Sequence, residues 1–324
     1  MKNEETILKV RNLEKSFVLD NGYFGIGKKY MKVIDDLSFE LKKGEVLGLV
    51  GESGCGKSTT ARLVLRLLEA DGGAVYFKGE DILKLKSGEL RKLRSKLQIV
   101  FQDPFSSLNP RMKVFDLIAE PLRHHQSLNR DEIKDRVLEV IETVGLQEHA
   151  LYKYPHEFSG GQRQRIAIAR ALILKPDIIV CDEAVSALDV SIQNQILNLF
   201  KSIKKSMGIT YLFISHDLSV VNYISDRVCV MYLGEIAEMG TSDDIFKSSK
   251  HPYTELLMKS ILKPNPSLNQ DLGEIEGEVP SYESNIAGCK FYGRCKYSKA
   301  ICRDSKPKLD MYKDEHYVAC HMYK

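Results

Sequence analysis

Gly51-Glu-Ser-Gly-Cys-Gly-Lys-Ser58 is the stretch that decides how this chain folds. It has the pattern G-x-x-x-x-G-K-[ST] of a phosphate loop. The apolar run Val46–Val50 before it predicts a buried strand, and Thr59–Leu68 after it predicts a helix. That strand–loop–helix context argues against a chance Gly-rich turn. Glycines let successive backbone N–H groups face one phosphate chain, and the helix adds its positive end. Gly51, Ser53, Gly54, Cys55, Gly56, Lys57, Ser58 and Thr59 are therefore candidate nucleotide contacts. Lys57 is expected to reach the β- and γ-phosphates, and the Ser58 hydroxyl to ligate Mg²⁺.

A second Gly-rich turn, Ser159-Gly-Gly-Gln162, opens the helical stretch 163–174. It is either a plain helix cap or another anion site at a helix N-terminus. Further along, Ile178-Ile-Val-Cys-Asp182-Glu183 reads as a buried strand ending in two carboxylates. Taken alone such a pair is a helix start or a solvated turn; following the phosphate loop and the second Gly-rich turn, Asp182 would point toward the Mg²⁺ shell and Glu183 would polarise an attacking water as general base. Two more apolar runs follow the same plan. Leu97–Phe101 ends at Gln102, and Thr210–Ser215 ends at His216.

In this order the motifs resemble the nucleotide-binding subunit of an ABC transporter. The resemblance implies an α/β fold, an ABC-type P-loop ATPase. It should have a mostly parallel core sheet, an antiparallel β subdomain, a helical subdomain and a small Cys-rich C-terminal extension. It implies ATP and Mg²⁺ as cofactors and a head-to-tail dimer of cassettes. In that dimer Ser159, Gly160, Gly161 and Gln162 of one chain cap the ATP held by the other. It makes Gln102 the glutamine that contacts Mg²⁺ or water, His216 a hydrogen-bond donor to the γ-phosphate, and Ser186-Ala-Leu-Asp189 the loop between the two sites. Phe17 is the candidate for stacking on adenine, with Tyr23, Phe24 and Tyr30 nearby. Phe158 stands where the family more often has Leu.

Composition agrees. The 324 residues suffice for one α/β core plus a small second module. A formal charge of +3 with dispersed basic residues does not call for nucleic acid. The densest basic patch, Arg91–Lys96, alternates with apolar positions and reads as a solvated helix face. No apolar run is long enough to cross a bilayer, and Met1-Lys-Asn-Glu-Glu5 carries no secretory signal. The expected location is the cytoplasmic face of the cell membrane, as a peripheral subunit. Residues 1–259 are expected to form the ATP-binding domain. Its strands flank a loop at 21–29, and helical patterning through 130–144 marks a helical subdomain at about 103–160. Residues 260–324 form the extension.

Phe101-Gln-Asp-Pro-Phe-Ser-Ser-Leu-Asn-Pro110, Asp182–Ser191, Thr210–Leu218 and His251-Pro-Tyr253 resemble the oligopeptide and dipeptide importers, and within them the second ATPase, the F-type subunit. This implies two membrane permease subunits, a second ATPase subunit in a heterodimer, and indirectly an extracytoplasmic substrate-binding protein. Nickel and glutathione importers use very similar ATPases. A soluble ABC ATPase with an Fe–S sensing module is the more distant alternative. Of seven cysteines, Cys55, Cys181 and Cys229 lie in the core, and four crowd the end as Cys289-x5-Cys295-x6-Cys302-x17-Cys320. Four such thiols suggest a metal or cluster. The importer family carries a [4Fe–4S] cluster on similar cysteines. Zinc and free thiols stay open; His316 and His321 read first as flanking the site, with zinc ligation the alternative. The phosphate loop, far off in sequence, is expected to bind ATP whether or not this module is intact.

Overall fold

The computed structural model describes residues 5–20, 29–259 and 286–323. The chain divides into two compact units. One holds Met1–Thr6, Leu41–Val46 and Lys84–Ser215; the other holds Ile7–Glu40, Leu47–Leu83 and His216–Lys324. Its strands run β1 (Thr6–Asp20), β2 (Lys29–Lys42), β3 (Val46–Val50), β4 (Gly72–Phe77), β5 (Glu80–Asp81), β6 (Leu97–Val100), β7 (Ile178–Asp182), β8 (Thr210–Ile214), β9 (Arg227–Tyr232), β10 (Glu235–Thr241), β11 (Asp310–Lys313) and β12 (His316–Val318).

In the first unit β6, β7 and β8 are parallel neighbours, with Val100 opposite Cys181 and Asp182 opposite Ile214. Every residue of β7 and β8 is buried, as expected for strands covered on both faces. The sheet is followed or flanked by helices at Val114–His125, Arg130–Thr143, Gly160–Leu172 and Val190–Met207. Arg130–Thr143 buries Ile133, Val137, Val140 and Ile141, the predicted apolar stripe. Asn129 and Glu132 close a capping box at its start, stabilising it by about 1 kcal/mol. The helix Ser87–Arg94 buries no residue, so the basic patch is a solvated face.

In the second unit β2, β1, β4 and β5 form one sheet in that order. The predicted loop between β1 and β2 lies at 21–28, outside the described residues. The strand β3 runs parallel to β9; β10 pairs antiparallel with β9, β12 with β10 and β11 with β12. Residues beyond 300 therefore extend the sheet that contains β3, the strand before the phosphate loop. The helix after that loop is shorter than expected: it spans Lys57–Val64. Arg66, at φ 47°, takes the left-handed conformation, and the Arg66 and Leu67 N–H groups bond back to the Leu63 and Arg62 carbonyls, which closes the helix early.

Candidate functional site

The phosphate loop leaves the C-terminal end of β3, where ligands of parallel sheets bind. Two of its glycines are required by space. At Gly51 a Cβ would collide with the Met231 carbonyl, and at Gly56, φ 106°, it would meet Ile34 Cδ1 at 2.7 Å. Lys57 Nζ donates to the Gly51 and Glu52 carbonyls at 2.8 and 3.0 Å, which folds it over the loop. The loop's far side is fixed by the Gly234 N–H, which donates to the Cys55 carbonyl at 3.0 Å. No side chain caps the following helix, so its N-terminal end is shaped for an anion. In the same unit Phe17 is half-buried on β1 with the Lys15 ammonium 5.7 Å from its ring centroid. Tyr30 is exposed, and Tyr23 and Phe24 lie outside the described residues. His216 is exposed, one residue before Asp217, which caps the helix Leu218–Ile224.

The first unit carries the other candidates. Gln102, exposed, follows β6, while Asp182 ends the neighbouring β7 and Glu183 comes directly after it. All three therefore leave the carboxyl edge of one parallel pair. Asp182 is buried. Glu183 sits at φ 51°, its N–H donating to the Ile214 carbonyl at 2.9 Å, and its own carbonyl accepts from Ser186 Oγ at 3.0 Å. Non-glycine residues adopt this backbone rarely, and such strain clusters at functional sites. Asp189 caps the next helix through the Ile192 N–H at 3.0 Å.

Ser159 and Gln162 form a reciprocal capping box at the head of Gly160–Leu172. Gly161 is buried there, and only glycine fits, because a Cβ would strike Ile192 Cγ2. Phe158 is buried too, so the substitution for the commoner Leu keeps an apolar anchor. Two arginines of this helix reach the stretch after Gln102. Arg163 lies 3.5 Å from the ring centroid of exposed Phe105, and Arg170 donates to the Ser107 carbonyl at 3.0 Å and to Glu120 at 2.6 Å. Sequence reading passed over both arginines, since each partner lies tens of residues away.

The C-terminal cysteines converge. Cys289, Cys295, Cys302 and Cys320 line one cleft of about 390 Å³, open solvent included, with His251, Phe291 and His321 among its walls. Burial and the neighbouring thiols push Cys289 up to about 12; burial raises Cys295 and Cys320 as well. Among the described residues no three Cys, His, Asp or Glu side chains are gathered closely enough for a single metal ion. His321 borders the cleft but is bonded to the Ser305 carbonyl. His316 is spoken for elsewhere: it is buried and 2.7 Å from Glu238. It is not a wall of the cleft, which corrects its place among alternative ligands.

The module and the phosphate loop are in contact. Arg294, next to Cys295, forms a two-pronged ion pair with Glu52 inside the loop.

The ABC transporter family profile matches residues 34–186, and the profile "Oligopeptide/dipeptide transporter, C-terminal region" matches 237–302. The chain is 47% identical to the oligopeptide transport ATP-binding protein AppF of Bacillus subtilis, over 99% of this chain and 98% of that one. The chain belongs to the ATP-binding subunits of oligopeptide and dipeptide ABC transporters. It is 46% identical to OppF of Salmonella typhimurium, over 96% and 94% of the two chains. Among solved structures this ABC subunit resembles cbiO1 of Clostridium perfringens, with a TM-score of 0.66 and 29% identity over 76% of this chain and 92% of that one. It also resembles the cassette MJ0796 bound to ADP and Pi, with a TM-score of 0.64 and 27% identity over 72% and 98%. The ABC subunit is an ATPase by this membership, and ATP with Mg²⁺ is consistent with it. Among its described residues no helix is long and apolar enough to cross a membrane.

Proposed function

We propose that this subunit hydrolyses ATP to drive import of short peptides across the cytoplasmic membrane. The observation that carries the reading is the match of residues 237–302 to the peptide-transporter C-terminal region, on top of end-to-end similarity to AppF and OppF. The subunit would lie at the cytoplasmic membrane face against two permease subunits, pair with a second ATPase, and receive peptide by way of an extracytoplasmic binding protein.

Each residue takes the role that its motif carries. The phosphate loop binds the triphosphate, with Lys57 exchanging its loop carbonyls for phosphate oxygens. Ser58, Asp182 and Gln102 would hold Mg²⁺ and its water, and Glu183 would accept the proton of the attacking water. His216 donates to the γ-phosphate, and Phe17 stacks on adenine. Ser159, Gly160, Gly161 and Gln162 present a helix N-terminus to the nucleotide of the opposing cassette.

The four C-terminal thiols line one cleft and make an all-sulfur donor set of the kind that iron–sulfur clusters use. Cys289, Cys295, Cys302 and Cys320 would hold a [4Fe–4S] cluster, one thiolate to each iron. When bound, that group would supply a covalent tie among the surrounding loops and one-electron redox chemistry.

Reconstitution with its permeases and a binding protein tests the transport reading. ATP-dependent uptake of labelled di- to pentapeptides supports it. ATP-dependent uptake of nickel or glutathione with no peptide uptake overturns it.

A further inference from the structure

The phosphate-loop motif leaves its second position open, and here that position is Glu52. Arg294 donates through Nη1 and Nη2 to the two Glu52 carboxylate oxygens, both at 2.9 Å, and through Nη1 to the Tyr232 hydroxyl at 3.2 Å. The Arg294 side chain is 4% exposed and that of Glu52 21%. A planar guanidinium held bidentate in this way fixes direction as well as charge. The backbone of Glu52 is held separately. Its N–H donates to the Tyr253 hydroxyl at 2.9 Å. Both grips rest on a packed aromatic group: the Tyr232 centroid is 4.6 Å from that of Tyr253 and 5.3 Å from that of Phe291.

We propose that Arg294 is a positioning residue for ATP, fixing Glu52 and neutralising its carboxylate beside the triphosphate site, so that nucleotide affinity depends on the Cys-rich segment. Two physical effects act in one direction. A loop already held in one geometry loses less conformational freedom when it closes on phosphate. A carboxylate left without its guanidinium repels a polyanion at short range. The segment carrying Arg294 has its own attachments. Lys290 pairs with Asp35 and Glu235, each at 2.9 Å, and Lys306 with Glu235 at 2.9 Å. Removing the guanidinium therefore leaves the segment docked. The inference stands whichever group the four thiols hold.

A mutant cycle on the full chain tests it, read by ATP titration and by KM and kcat in the assembled transporter. Arg294→Met should raise KM for ATP about tenfold, the scale of one charge-assisted pair, with kcat changed less than about twofold. Glu52→Gln should cost about threefold or less, because the repelling charge leaves with the pair. The double variant should match Glu52→Gln alone, so that the second change rescues the first. Should Arg294→Met not fold, Arg294→Lys is read in its place, with a loss of about threefold expected for keeping charge but not the fork. Wild-type ATP affinity in the folded arginine variant, with only Tm lowered, overturns the proposal. So does a double variant whose losses multiply.

Discussion

Glu183 occupies a backbone conformation that a glutamate rarely takes, at φ 51°, held by the Ile214 carbonyl. Gln at this position keeps the shape and removes the charge that draws a proton from water. Glu183→Gln should retain ATP binding and lower hydrolysis by about 10² or more, with closed dimers accumulating on ATP. Steady-state turnover near wild type in the assembled transporter would sink the role given to Glu183. Gly161 makes a different kind of test. Its missing Cβ leaves room for Ile192, whose β-branched side chain has few other rotamers. Gly161→Ala should cost about 1–3 kcal/mol by chemical denaturation, and Ile192→Ala in the same chain should recover most of that. Glu183 was legible from sequence because it follows an apolar run in a fixed local pattern. The reason for Gly161 was not, since the space it keeps belongs to a residue 31 positions on in the chain (161 to 192).

At the scale of elements, the helix Pro252–Lys259 does more than end the cassette. Its Tyr253 is fully buried and accepts the Glu52 N–H. Tyr253→Phe keeps the ring packing and orphans that amide, a loss of about 1 kcal/mol. KM for ATP should rise several-fold with little change in kcat; an unchanged KM would show that the hydroxyl does not hold the loop. The Cys-rich segment gives a second test. Anaerobically purified protein should be brown and carry about four iron and four sulfide per chain, and Cys302→Ser should lose both. Because Arg294 adjoins Cys295, the same variant should weaken ATP binding. Colourless protein with one zinc would replace the cluster by a zinc site. Strands of five or six apolar residues were readable one by one. The pairing of β12 with β10 was not: it joins three residues, His316–Val318, to a strand some eighty positions earlier, and no local period announces it. Arg294 and Glu52, 242 positions apart, are hidden for the same reason.

For the whole molecule, the proposal that the Ser159–Gln162 turn serves the opposing cassette makes a prediction that a single chain can check. Gly160 faces open space: a Cβ there would meet only Leu188 Cδ2, at 3.5 Å, so a side chain fits. Gly160→Asp would set a carboxylate against the γ-phosphate of the partner. ATP affinity of the isolated subunit should be nearly unchanged, while ATP-driven dimer formation in light scattering should fail. A large loss of affinity in the isolated subunit would mean that the turn acts on its own chain's nucleotide.

The separation of Arg294 from Glu52 also has a meaning in time. A ribosome adding roughly 5–20 residues per second makes the phosphate loop tens of seconds before it makes the arginine that steadies it. Through that interval the nascent cassette holds a nucleotide motif without its clamp. Tight ATP capture would thus mark a chain whose synthesis has passed Arg294, and unfinished cassettes would compete poorly for nucleotide in the cell.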